Sequence, residues 1–141
     1  MMFEDEAALI AHGQAFVATT LPKARWTHEG HFAAALYLIA RCPDIVPERD
    51  MPDMIRRYNI ATGGENTDSA GYHETITQAS LIRSRRLLAT RPVNEPLHLT
   101  LGALMQSSLG NKDWLLAHWS RPTLFSVAAR RHWVAPDLAA L

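Results

Sequence analysis

Cysteine is almost missing from this chain of 141 residues: Cys42 stands alone. One thiol cannot close an intrachain disulfide, and zinc fingers or ribbons built on cysteine pairs are excluded. A reducing cytosol is the compartment this usage predicts. Net charge is missing too, with 14 Lys and Arg against 14 Asp and Glu. No general attraction toward nucleic acid or an anionic membrane follows from such a balance. No apolar run reaches the roughly 20 residues that a membrane span needs. The stretch Met1-Met2-Phe3-Glu4-Asp5-Glu6 is acidic and has neither a basic nor an apolar region, so no signal peptide is expected. No window alternates apolar and polar residues long enough for a half-buried strand. A repeat of solenoid period, a Gly-rich phosphate loop with its lysine, a His-Glu-x-x-His helix and a nucleophile elbow are all lacking.

What is present is apolar residue at helical spacing. Hydrophobic residues make up 48% of the chain, enough for a core in one domain spanning residues 1–141. The spacing predicts an all-α fold, a bundle of four longer helices followed by shorter C-terminal ones. A first helix is expected over 4–19, with His12 partly exposed, and a break at Pro22. A second starts near Thr27 as N-cap and stops before Pro43; it is the most apolar and is expected to be central. A Pro-rich connector then leads to a third helix over 51–61, which ends at Gly63-Gly64. A fourth runs from about 72 to 90, a fifth from 97 to 108, and short ones cover 112–119 and 126–133. Arg83, Arg85 and Arg86 read as a solvated basic face.

Two stretches carry more chemistry than a structural helix requires. Gly71-Tyr72-His73-Glu74-Thr75-Ile76-Thr77 puts a phenol, an imidazole, a carboxylate and two hydroxyls into about two turns. Trp26-Thr27-His28-Glu29-Gly30-His31 puts an aromatic, a carboxylate and two imidazoles at the start of the second helix. If helices two, three and four run up, down and up, both stretches lie at one end of the bundle. Residues three or four apart share a helix face, so His28 with His31, and His73 with Thr77, can converge on one point.

Three readings of that point stand open. Imidazoles with an oxygen suit a divalent transition metal such as zinc or iron, with His28, His31 and His73 as ligands and Glu74 as a proton carrier. A small anionic or polar molecule held by Trp26, Tyr72, Thr77 and helix N-termini is the second. In the third the polar residues form a structural network, and exposed apolar surface around Trp114, Trp119 and Trp133 makes a partner interface or homo-oligomer.

The same stretches carry a resemblance. Trp26-Thr27-His28-Glu29-Gly30-His31-Phe32 with Ala35 and Tyr37-Leu38 is one part of it. Asn66-Thr67 followed by Gly71-Tyr72-His73-Glu74-Thr75-Ile76-Thr77 is the second. Ser120-Arg121-Pro122-Thr123-Leu124-Phe125-Ser126, Ala129-Arg130 and Pro136-Asp137-Leu138 complete it. Together they resemble a family of uncharacterised bacterial all-helical proteins, from about residue 26 onward. The resemblance implies a bacterial protein of one domain, points to His28, His31 and His73, and carries no activity.

Overall fold

The computed structural model describes residues 3–141; the Met1-Met2 start of the acidic stretch lies outside the described residues. Seven α-helices follow one another: α1 (Glu6–Val17), α2 (His28–Arg41), α3 (Pro47–Ala61), α4 (Glu74–Ala89), α5 (Leu97–Gln106), α6 (Arg121–Leu124) and α7 (Val127–Arg131). Short 3-10 segments lie at Lys23–Arg25, Ser108–Gly110 and Trp114–Ala117. No strand occurs among the described residues, so the fold is all-α. None of the described helices is long and apolar enough to cross a membrane.

Helix α2 is the axis of the packing. Thr27 caps it by accepting from the Gly30 N–H at 3.0 Å. Phe32, Ala33 and Leu36 join one apolar cluster with Leu9, Leu97, Leu101, Leu104 and Trp119. Ala34, Ala35 and Leu38 join the other with Phe16, Met51, Met54, Tyr58 and Leu81. A helix apolar on all sides is stable only when surrounded. The run Ala33-Ala34-Ala35 keeps its surface low, and Gly13 does the same for α1. A Cβ on Gly13 would sit 2.3 Å from the Tyr37 ring, so the α1–α2 crossing requires hydrogen there.

Helix α3 begins four residues before the expected start. Pro47 opens it, where a missing N–H and a fixed φ cost nothing. With the earlier start, Pro52 lies in the interior of the helix rather than in its first turn. Its ring nitrogen cannot bond the Glu48 carbonyl one turn back. Gln78 of α4 supplies that donor instead, Nε2 to the Glu48 oxygen at 3.0 Å. The arginines read as a solvated face each have a partner. Arg85 pairs with Glu48, Arg86 donates to the Leu141 carbonyl, and Arg83 lies over the Trp114 ring.

The C-terminal third departs furthest from expectation. The stretch 112–119 is a 3-10 turn at Trp114–Ala117 rather than an α-helix, and α6 is an additional short helix. Tertiary bonds fix this region: Trp119 Nε1 donates to the Val134 carbonyl at 2.9 Å. Asp137 accepts from the Ser120 N–H and hydroxyl and from the Thr123 hydroxyl. Trp114 and Trp119 are buried in the core, and of the three tryptophans named for an interface only Trp133 is exposed.

Candidate functional site

One face of each of three helices opens onto a common cavity of about 520 Å³. Helix α2 contributes His28, His31, Phe32 and Ala35; α3 contributes Met51, Ile55 and Asn59. His73 at the head of α4 is followed by Ile76, Thr77 and Ser80. All three sets follow the three-and-four spacing of a single helical stripe. Trp26 and Tyr72 complete the wall near the helix starts. The fourth side is the irregular chain after α5, through Trp114, Leu115, Leu116, Leu124 and Phe125, with Lys112 and Asp113 at the mouth. The two polar stretches therefore do meet: Trp26, His28, His31, Tyr72, His73 and Thr77 line one space.

The three imidazoles in that space have different jobs. His73 is the N-cap of α4, with extended backbone at φ −135° and ψ 110°. Its Nδ1 accepts the Ile76 N–H at 3.2 Å. Its Nε2 lies 2.7 Å from the Leu124 carbonyl, and a carbonyl can only accept, so the proton is on Nε2. Both nitrogens are engaged, and the ring is buried. Burial holds its pKa below the ordinary 6.5, against the opposing pull of the Leu124 carbonyl. His28 likewise donates Nε2–H to the Leu109 carbonyl at 2.7 Å. These two bonds pin both ends of the segment that forms the fourth wall.

His31 is the exception. Neither of its ring nitrogens has a hydrogen-bond partner among the described residues, and its only close ring neighbour is Trp26, edge-on at 4.0 Å between centroids. Trp26 is itself fixed by stacking on Phe16 at 4.5 Å. The His31 side chain lines the cavity and keeps a large accessible surface, as a residue on a cleft wall does. Desolvation, then the neighbouring His28 and His12, push its pKa down to about 4. At neutral pH it is an uncharged imidazole with one donor and one acceptor free.

The other expected site residues are engaged in the protein's own structure. The Tyr72 hydroxyl donates to Glu74 Oε1 at 2.5 Å, and Arg56 lies over the Tyr72 ring at 4.3 Å. Burial, then the Glu74 carboxylate, raise the Tyr72 pKa. Glu74 also accepts from Gln78. It sits behind Tyr72 and does not line the cavity, out of place for a proton carrier there. Thr77 donates back to the His73 carbonyl at 2.9 Å. Thr75 is buried and links α4 to the chain end, donating to the His132 carbonyl and accepting from the Val134 N–H. His12, expected partly exposed, is buried, with Nε2 2.9 Å from the Gly30 carbonyl. It supports the first turn of α2 from behind.

A metal shell of His28, His31 and His73 would require His73 and His28 to give up ring hydrogen bonds. His73 has no free lone pair on its ring, and His28 has lost Nε2 to Leu109. Among the described residues no group of three His, Cys, Asp or Glu is placed to hold an ion.

Several cavity residues escape a reading of the two motifs. Met51, Ile55 and Asn59 form a stripe that becomes visible only once α3 is started at Pro47. Ser80 continues the His73–Thr77 face by one more turn and could have been found by that spacing. Lys112 to Leu116 carry no local signal. Comparison with protein-family models, with curated proteins and with solved structures finds no match for this chain.

Proposed function

We propose that this protein is a small-molecule binding module, acting in a reducing cytosol, whose ligand occupies the cavity between the starts of α2 and α4. The observation that carries the reading is the cavity itself: a mainly apolar space of about 520 Å³ with His31 on its wall, whose ring makes no hydrogen bond to the described residues. Ligand pockets have this make-up, apolar walls with a few placed polar groups and volumes of roughly 300–1,000 Å³. Two further imidazoles and a helix-capping network hold the walls around it.

Thermal-shift screening against small neutral and charged aromatics tests the proposal. A compound at about 100 times its Kd should stabilise the protein by about 2.7 kcal/mol, which raises Tm by several degrees. Ala35→Leu, which fills the cavity from α2, should abolish the rise while circular dichroism stays helical. A screen in which no compound raises Tm, or in which Ala35→Leu responds as the wild type does, would count against the proposal.

A further inference from the structure

Charge is confined to the mouth of the cavity. Lys112 and Asp113 are its only lining residues that carry full charge, and they are adjacent, opposite in sign and both exposed. The positive ends of α2 and α4 offer little to an anion, because each is already answered. Thr27 and His73 accept first-turn N–H groups, and Glu29 and Glu74 place carboxylates in those same turns. Arg56 and Arg83 lie nearby but over the rings of Tyr72 and Trp114, outside the lining. A carboxylate or ammonium taken into this space would lose its water without gaining a counter-charge, at a cost of several kcal/mol.

We infer that the ligand is an uncharged, mainly apolar molecule carrying one hydroxyl or N–H group, and that this group bonds to the ring of His31. The inference rests on the proposal that the cavity is a binding site, and narrows it to one chemical class. His31 accepts from the ligand through one nitrogen or donates through the other. Trp26, edge-on to the ring, fixes its orientation, and the apolar walls of Phe32, Ile55 and Trp114 take the rest of the molecule.

Three probes of nearly equal size separate the possibilities: 4-ethylphenol, 4-ethyltoluene and 4-ethylbenzoate, titrated into the full chain at pH 7 by calorimetry. The phenol should bind about tenfold more tightly than the hydrocarbon, the increment of one desolvated hydrogen bond, and the benzoate most weakly. His31→Leu should bring the phenol-to-hydrocarbon ratio near one. His31→Gln, which keeps a donor and an acceptor, should restore part of the preference. Tightest binding by the benzoate, lost in Lys112→Ala, would overturn the inference and leave the binding site standing. So would a phenol preference that His31→Leu does not change. Absence of binding by all three would overturn the inference and count against the binding-site proposal as well.

Discussion

His73 joins two distant pieces of chain with one ring, capping α4 through Nδ1 and holding the Leu124 carbonyl through Nε2. Removing it leaves a helix end uncapped, worth about 1 kcal/mol, and a carbonyl without its donor, worth about 1–3 kcal/mol. His73→Ala should therefore lower unfolding free energy in urea by about 2–4 kcal/mol. His73→Asn restores the cap, because an Asn oxygen accepts first-turn N–H groups well, and should recover about 1 kcal/mol of that. Equal losses in the two variants would refute the capping role. Gly71, two residues earlier, adopts φ +84°, and a Cβ there would lie 1.9 Å from the Glu65 carbonyl oxygen. The loop is closed at this point by Asn66, whose Oδ1 accepts from the Tyr72 N–H and the Asn59 amide. Gly71→Ala combines a disfavoured backbone with overlap and should cost at least about 2 kcal/mol in the same assay.

At the scale of elements, Pro52 and Gln78 form a compensating pair. Proline within α3 frees the Glu48 carbonyl, and α4 supplies the missing hydrogen bond. Gln78→Ala should cost about 1–2 kcal/mol by orphaning that oxygen. In a Pro52→Ala background the helix supplies its own N–H, and the same change should cost less than about 0.5 kcal/mol. Additive effects in the double-mutant cycle would show that the two positions are not coupled.

The same proline explains why α3 was not fully legible in the sequence. Pro52 reads as a break when the donor that rescues it lies 26 residues away. Helix α2 was legible from both ends, since Thr27 is a standard cap and Pro43 a standard stop. The sequence pattern points to a start of α4 two residues early because histidine is a rare N-cap. The chain beyond Gln106 hid its 3-10 turns because Trp119–Val134 and Ser120–Asp137 bonds fix them, not a local period. The meeting of the two polar stretches was legible from helix direction alone. Their division of labour was not: an imidazole that caps, one that pins a carbonyl and one left free are the same letter.

For the whole molecule, burial of histidine makes stability depend on pH. His12, His31 and His73 all have folded pKa values below the ordinary 6.5, with desolvation the first cause in each case. Between the folded values and 6.5 the unfolded chain binds more protons, so unfolding free energy falls as pH drops through that window. The Leu97 N–H and then Arg41 hold the Glu6 carboxyl below its ordinary 4.5, and Arg85 and Arg91 do the same for Glu48 and Glu95. Their contribution is therefore retained until the solution is more acidic still. Urea midpoints should be level from pH 7 to 8.5 and decline steadily from 6.5 to 4.5. A level profile down to pH 4.5 would mean that these rings protonate freely in the folded state.

The central claim is that two cavity imidazoles serve the fold and the third is available to a ligand. Long-range proton–nitrogen spectra of the histidine rings, recorded during a titration with 4-ethylphenol at pH 7, test it most directly. His28 and His73 should show Nε2–H tautomers that do not respond, and the ring nitrogens of His31 should shift in proportion to binding. Shifts at His28 or His73 with His31 unmoved would contradict it.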